Sequence, residues 1–196
     1  MKPSLCKLIV SLLDCTLAKS IASYENTERL PSGPYVLLPK HSSHLDILLE
    51  GAMLYGSQGR LGHYLMKPSL PRAFQWLGGI SVYRSKDTNS RRALLANNEQ
   101  VFAEAGRLLS NGEIIVMHPE GTRVSGGMGE LRTGGIRMLI EMQETIGPVT
   151  FVPLGIEYRA LRVALRVGRP RTYSLFWNDD AERLRKELAF LSGVGS

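Results

Sequence analysis

The sequence predicts a single layered α/β domain, in which a mixed central sheet is flanked by helices and preceded by an amphipathic helix. Three observations predict this class. The chain has 196 residues, which suits one domain with its own hydrophobic core. Short apolar runs alternate with longer segments of helical periodicity, as they do in layered α/β domains. No internal repeat, low-complexity tract or shift of composition divides the chain.

The N-terminal segment, residues 1–24, predicts the amphipathic helix. Leucines and isoleucines recur at helical spacing between Leu5 and Leu17, but charged residues such as Asp14 interrupt the stretch. It therefore lacks the uninterrupted apolar run of a membrane span, and no cleavage site of the signal-peptide type follows it. Two interpretations stay open: the helix caps the core, or it lies in the lipid interface with its lysines near headgroups.

The first half of the domain begins after a turn rich in proline and glycine at residues 30–34. The apolar run 35–39 predicts a buried strand, and leucines at helical spacing predict a helix over 43–55. Residues 63–66 predict a second strand, and a helix bounded by proline is expected over 69–77. A third strand follows a pair of glycines, over residues 80–83.

The second half begins with a long helix that Asp87 or Thr88 caps and that ends near Leu109. A dense apolar run predicts a fourth strand at 113–117, and the polar, glycine-rich loop 118–133 is too long for a simple connector. The remaining predicted elements are a helix over 134–147, strands over 150–156 and 161–167, and a closing helix over 179–191. Arginines alternate with apolar residues in the last strand, which gives it one basic face.

The chain is basic, with a formal net charge of +6 at pH 7. This charge favours nucleic acid, an anionic membrane surface or a phosphate-bearing substrate as a partner. Basic residues are dispersed, and neither zinc-finger spacing nor an RNA-binding aromatic signature appears, so we expect no nucleic-acid binding. Cys6 and Cys15 are too few for a disulfide framework, which favours a reducing compartment.

A polar block, Lys40-His41-Ser42-Ser43-His44-Leu45-Asp46, lies between a predicted strand and a predicted helix, where open α/β sheets carry their sites. On one continuous helix His41 and Asp46 would point ~140° apart. They can meet only if His41 lies before the helix and Asp46 within its first turns. Such a pair suits a general base, because the carboxylate holds one ring nitrogen while the other removes a proton from a hydroxyl.

Two other interpretations of this block stay open. In one, Ser42 or Ser43 caps the helix and Asp46 lies near its positive end. In the other, His41, His44 and Asp46 bind a metal ion, although no cluster supplies a fourth ligand. A serine nucleophile would need a Gly-x-Ser-x-Gly turn, which is absent.

A second block, His118-Pro119-Glu120-Gly121-Thr122-Arg123, follows the fourth strand. The guanidinium of Arg123 offers a bidentate fork to phosphate, and glycine lets backbone donors approach. The alternative is a turn with a surface Glu/Arg pair. Arg84 ends the third strand, where a lone arginine is ordinarily solvated, and Val152-Pro153-Leu154-Gly155-Ile156 is an apolar strand of the core type.

Together these blocks resemble the glycerolipid acyltransferase family, whose best-known members are lysophosphatidic-acid acyltransferases. His41, Ser43 and Asp46 match the family's first block, Asn-His-x-Ser-x-x-Asp, and residues 78–84 match its second, Gly…Ile-x-x-x-Arg. Residues 118–123 resemble the third block, Phe-Pro-Glu-Gly-Thr-Arg, and Val152-Pro153 resembles the fourth. Order and approximate spacing agree over residues 36–170. Four departures concern the acceptor: Lys40 for Asn, His118 for Phe, a missing Glu after Lys67, and Leu131-Arg132-Thr133-Gly134 for Phe-Lys-x-Gly.

The resemblance implies that residues 30–196 form an acyltransferase domain of phospholipid biosynthesis. Such an enzyme moves a fatty-acyl group from acyl-CoA or acyl carrier protein to a lysophospholipid, most simply 1-acyl-glycerol 3-phosphate, giving phosphatidic acid. It implies no metal and no cofactor beyond the acyl donor, and a membrane-associated protein on the cytoplasmic face with an anionic membrane surface as partner. The alternatives are another acceptor (a lyso-ornithine lipid or glycerol 3-phosphate), a non-catalytic lipid-binding relative, and a metallohydrolase.

The resemblance also implies roles for individual residues. His41 is the general base and Asp46 orients it. The developing oxyanion is stabilised by backbone N–H groups or by Lys67. The residues implied for the acceptor phosphate and its pocket are Arg84, Glu120, Gly121, Thr122 and Arg123.

Overall fold

The computed structural model describes residues 21–68, 78–83, 90–175 and 178–195. Within these ranges a central eight-stranded sheet is flanked by helices, so the predicted α/β class is confirmed. The strands are β1 (Ala22–Glu25), β2 (Tyr35–Pro39), β3 (Gly62–Met66), β4 (Gly79–Ser81), β5 (Ile114–Met117), β6 (Thr150–Arg159), β7 (Arg162–Val167) and β8 (Arg171–Thr172). The helices are α1 (Asp46–Gln58), α2 (Arg91–Ser110), α3 (Gly134–Glu141), α4 (Gln143–Ile146) and α5 (Asn178–Leu191), with a 3-10 turn at Thr27–Arg29.

The sheet is mixed, with strand order β1-β7-β6-β2-β5-β3-β4 and with β8 paired to β6. Strands β6, β2, β5, β3 and β4 run parallel to one another, whereas β7 is antiparallel to β6 and parallel to β1. In the β2–β5 pair, Leu37 lies opposite Val116. The carboxyl ends of these two strands are therefore neighbours, and the loops that follow them share one edge of the sheet.

Strand β2 is buried along its whole length because helices cover both faces of the sheet. Tyr35 and Leu37 pack on the α1 side, in a cluster that includes Met53. Val36 and Leu38 point to the other side. There they pack with residues of α2, α3 and α5, including Phe102, Leu139 and Leu188. This double coverage explains why the strand reads as a continuous apolar run.

Helix α5 approaches β6 at a glycine. A Cβ added to Gly155 would lie 2.4 Å from the backbone carbonyl carbon of Leu191, which is far inside contact distance. The predicted apolar strand thus contains a residue whose small size sets the distance between the closing helix and the sheet.

Several predicted bounds are corrected by the structure. The N-terminal helix was expected to reach residue 24, but Ala22–Glu25 is a strand because it pairs with the edge of β7; residues 1–20 lie outside the described part. Helix α2 is capped by Ser90, whose Oγ accepts from the backbone N–H of Ala93 at 3.2 Å, and not by Asp87 or Thr88. The helix expected over 69–77 also lies outside the described residues.

Two other elements differ from expectation. The helix predicted over 134–147 is divided into α3 and α4 at Met142, and the strand predicted over 150–156 continues to Arg159 as half of a hairpin with β7. None of the helices in the described ranges has the length and apolar character needed to cross a membrane.

Candidate active site

The loop between β2 and α1 brings His41 and Asp46 together. Asp46 is the first residue of α1 and is fully buried, and its Oδ2 lies 2.9 Å from Nδ1 of His41. The same oxygen accepts hydrogen bonds from the backbone N–H groups of Ser42 (2.7 Å) and Ser43 (2.8 Å). The loop is thus wrapped around the carboxylate. Neither serine side chain caps α1, so the capping interpretation of Ser42 and Ser43 is wrong.

Tyr158 is a fourth partner of this carboxylate, and the sequence does not predict it. Its hydroxyl donates to Oδ1 of Asp46 at 2.5 Å, across 112 positions of sequence. Burial and the Asp46 carboxylate together raise the pKa of Tyr158, so its hydroxyl remains a donor. No local pattern identifies the contact, because it depends on β6 lying beside β2.

The surroundings set the charge states of the pair. Burial by itself would raise the pKa of Asp46, but the hydrogen bonds from His41, the loop backbone and Tyr158 outweigh burial and hold this pKa below its ordinary value. Burial lowers the pKa of His41, and the hydrogen bond from its ring to Asp46 only partly offsets this. His41 is therefore neutral near pH 7. Because its Nδ1 donates to the Asp46 carboxylate, Nε2 carries the free lone pair.

His118 stacks on this ring and has its own carboxylate. The two imidazole centroids lie 4.1 Å apart, and Nε2 of His118 lies 3.0 Å from Oε1 of the fully buried Glu50. Burial opposes protonation of His118, but the charge and hydrogen bond of Glu50 outweigh it and raise the His118 pKa. Glu50 follows Asp46 by four residues on α1, and this same-face spacing is the sequence signal that could have identified it.

Glu120 lies behind the site and supports the backbone of its loops. Its side chain is buried, with Oε2 accepting from the backbone N–H of His41 at 2.9 Å and Oε1 from that of Gly129 at 2.8 Å. It is not among the residues that line the cavity described below, and its assignment as a substrate-binding residue stays a prediction. Both of its oxygens hold the backbone of the two site loops instead.

Lys40 joins the same two loops. It is 1% exposed, and its Nζ donates to Oγ of Ser42 at 3.1 Å and to the carbonyl of Val124 at 2.8 Å. The same Nζ lies 3.8 Å from Oε1 of Glu120. Burial lowers the pKa of Lys40, and the Glu120 carboxylate opposes that shift. The lysine that stands in the family's asparagine position therefore serves as a brace between the loops and not as a surface charge.

The loop that carries Arg123 needs glycine at two positions. Gly121 has a φ of +62°, and a Cβ there would lie 3.0 Å from Cδ of Arg132. A Cβ on Gly129 would lie 3.0 Å from Oε1 of Glu120. Substitution at either position would push on groups that hold the loop.

One cavity of about 390 Å³ collects most of the predicted site residues. Its polar wall includes His41, His44, Lys67, His118, Gly121, Thr122 and Arg123, and its apolar wall includes Ile47, Leu65, Phe102, Met117 and Met138. Lys67 and Arg123 are exposed, and the Arg123 guanidinium contacts the His44 ring. Arg84 lies outside the described residues. The arrangement joins a histidine held by a carboxylate, cationic groups and an apolar surface in one space.

The metal interpretation of His41, His44 and Asp46 finds no support in the geometry. Among the residues that the structure describes, no three His, Cys, Asp or Glu side chains are grouped so as to hold a metal ion. The Asp46 oxygens are occupied by hydrogen-bond donors, and His44 turns to Arg123.

The comparisons with known proteins agree with this fold. No curated protein sequence is significantly similar to the chain. The crystal structure of the 1-acyl-sn-glycerophosphate (LPA) acyltransferase PlsC from Thermotoga maritima is similar, with a TM-score of 0.65 and 16% identity over 96% of this chain and 78% of that one. A family model described as Acyltransferase matches residues 22–157. Because that match spans more than half of the sequence, the chain belongs to the acyltransferase family.

Proposed function

We propose that this acyltransferase moves a fatty-acyl group from acyl-CoA or acyl carrier protein to the free hydroxyl of a lysophospholipid, most simply 1-acyl-glycerol 3-phosphate, giving phosphatidic acid. The observation that carries the proposal is a neutral His41, held by the Asp46 carboxylate, that faces a cavity with Arg123 in its polar wall and an apolar wall beside it. The enzyme acts in phospholipid biosynthesis at a membrane surface on the cytoplasmic face.

The proposed reaction is direct acyl transfer without a covalent enzyme intermediate. Nε2 of His41 removes the proton of the acceptor hydroxyl while its oxygen attacks the thioester carbonyl. The tetrahedral intermediate collapses with cleavage of the C–S bond, and the departing thiolate takes the proton from the imidazolium. Asp46 stabilises the imidazolium through Nδ1 during this step.

Charge develops on the thioester oxygen, and the acceptor itself carries a phosphate. Lys67 or backbone N–H groups of the loops stabilise the oxyanion, which is consistent with Lys67 being exposed at the cavity. Arg123, with Arg84 as a helper, binds the acceptor phosphate beside Thr122 and Gly121. The apolar wall, which includes Phe102, Met117 and Met138, receives an acyl chain.

The similar Thermotoga maritima protein is an LPA acyltransferase, which suggested this choice of acceptor. At 16% identity the likeness carries the fold alone, so the choice depends on the cationic and apolar walls of the cavity. Two alternatives would replace this proposal. In one, the acceptor is a lyso-ornithine lipid or glycerol 3-phosphate; in the other, the protein binds lipid without turnover.

The base is tested by thioester release from acyl-CoA and acyl carrier protein with a panel of acceptors, in the presence and absence of EDTA. His41→Ala should lower kcat by about 10³-fold, because general-base catalysis is worth about that much. Circular dichroism should show an unchanged fold. Near-normal turnover by this variant would refute the base assignment, and loss of wild-type turnover in EDTA would favour a metallohydrolase.

The phosphate contact is tested with two acceptors, 1-acyl-glycerol 3-phosphate and the phosphate-free monoacylglycerol. Arg123→Ala should raise KM for the phosphorylated acceptor by about tenfold or more and leave turnover of monoacylglycerol unchanged. Arg137→Ala, an exposed change on α3 outside the cavity lining, is the matched control. Equal effects of Arg123→Ala on both acceptors would contradict a phosphate contact.

A further inference from the structure

The turn of the β6–β7 hairpin carries an exposed leucine between basic residues. We call residues 159–162 (Arg159-Ala160-Leu161-Arg162) the hairpin tip. Leu161 is 88% exposed, and Arg162 is exposed as well. A leucine with so little contact contributes almost nothing to the core, so folding does not explain its place.

The charges around the hairpin tip leave one arginine without a partner. Glu157 pairs with both Arg159 (2.6 Å) and Arg166 (2.7 Å), and Arg166 also pairs with Glu25 (2.8 Å). Within the described part of the chain, no acidic side chain pairs with Arg162. The acids near the tip are thus already neutralised, and the tip presents a net positive charge.

The hairpin tip lies at the active-site end of the molecule. Tyr158, three residues before Leu161, donates to Asp46. Leu45, the residue before Asp46, is itself 50% exposed. Two exposed leucines and Arg162 therefore lie on the side of the domain that carries His41 and Asp46.

The N-terminal segment enters the fold at the same place. Because β1 runs parallel to β7 with Ala22 opposite Val163, residues 1–20 join the described part beside Arg162. That segment contains leucines and isoleucines at helical spacing together with Lys7 and Lys19. Strand β1 thus begins at the end of the sheet that carries the hairpin tip.

We infer that the hairpin tip docks the active-site end of the domain on an anionic lipid bilayer, with Leu161 inserted among the headgroups and Arg159 and Arg162 contacting their phosphates. A bilayer accepts a single inserted side chain flanked by cations. A protein partner would need an extended complementary surface, whereas the hairpin tip is four residues long with a single leucine. The inference rests on the proposed function, since it brings the lysolipid acceptor to the cavity from the membrane.

Binding of the full chain to vesicles tests this directly. The vesicles are phosphatidylcholine alone, or phosphatidylcholine and phosphatidylglycerol in equal parts, and bound protein is measured by flotation. Leu161→Ser should lower partitioning into the mixed vesicles about tenfold. Arg162→Ala should lower it about fivefold, with no effect on neutral vesicles and a decreasing effect as salt is added.

Matched controls lie at the far ends of the same strands. Leu175 (59% exposed) follows β8, which pairs with the opposite end of β6, and the exposed Arg169 follows the opposite end of β7. Leu175→Ser and Arg169→Ala should change partitioning less than about twofold, since neither removes a group from the tip.

Turnover separates this inference from the proposed function. The tip variants should keep wild-type turnover of a water-soluble, short-chain lysophosphatidic acid, but show a higher KM for a long-chain acceptor embedded in mixed vesicles. Wild-type partitioning by both tip variants would overturn the inference. Loss of turnover only with the acyl carrier protein donor, with vesicle binding intact, would make the tip a protein-docking site instead. If no acceptor is turned over but the tip variants still lose vesicle binding, docking stands and the proposed function fails.

Discussion

At the scale of single residues, the pKa values of the two neighbouring imidazoles shift in opposite directions. The His41 pKa is lowered chiefly by burial, and the neighbouring His118 lowers it further. The His118 pKa is raised because Glu50 outweighs burial. The lowered pKa of His41 is consistent with the proposed base, since a base must be unprotonated at the working pH.

Replacement of His118 by Phe, the residue usual in the family, should move the acid limb of the pH profile. His118 in its charged form lowers the His41 pKa, so its removal should raise that pKa. The base would then be protonated at a higher pH, and kcat/KM should fall off at a higher pH than in the wild type. His63→Gln, at a site outside the cavity lining, should leave the limb in place. If the acid limb of the kcat/KM profile stayed at the same pH in His118→Phe, the ionisation of His41 would not depend on His118.

At the scale of elements, the site depends on two loops that hold each other. The loop before α1 and the loop after β5 are joined by Glu120, by Lys40 and by a backbone hydrogen bond from Val124 N–H to the His41 carbonyl at 2.8 Å. Every one of these partners is on a loop, yet each loop is anchored on a buried parallel strand. The catalytic geometry is therefore set by the strands and only transmitted by the loops.

The contact between α5 and β6 gives a prediction about stability. Gly155→Ala should lower the free energy of unfolding by roughly 1–3 kcal/mol, because the new methyl group meets the Leu191 backbone and α5 must shift. Urea denaturation followed by circular dichroism measures the change. Gly127→Ala, where an added Cβ meets nothing within 4 Å, should be close to neutral. If the Gly155 variant and the wild type were equally stable, α5 would not pack against β6 as closely as this contact indicates.

At the scale of the whole molecule, the site is assembled from distant parts of the chain. Asp46 and Tyr158 are 112 positions apart, and Glu50 and His118 are 68 apart. They meet because β6 and β5 are the two neighbours of β2 in the sheet. Global stability should therefore be linked to the ionisation of the buried Asp46.

This linkage has a defined sign. The folded-state pKa of Asp46 is lower than its ordinary value, so its carboxylate stabilises the fold above the unfolded pKa of about 4. That contribution is lost as the pH falls through the lower folded pKa. The difference in unfolding free energy between wild type and Asp46→Asn should thus shrink as the pH falls below about 4. Urea titrations at a series of pH values check this, and a difference that grows on acidification would contradict it.

Local periodicity was sufficient to predict most helices and strands. It was also sufficient to predict that His41 must precede a helix containing Asp46. Both follow from spacing within a few residues, and the structure has the same arrangement. The strand at Ala22–Glu25 was missed because its pairing partner lies far along the chain, in β7. The cap of α2 was misplaced since several polar residues before it were equally suitable by sequence.

The sequence by itself determined the α/β class, the family resemblance and the pairing of His41 with Asp46, because these depend on residue types and on the period of helices and strands. Only the tertiary structure decided that Tyr158 supports Asp46, that Glu50 pairs with His118, and that Glu120 holds backbone instead of facing the cavity. Those contacts depend on which strands are neighbours in the sheet. Strand order follows from the packing of the whole chain, and no local pattern encodes it.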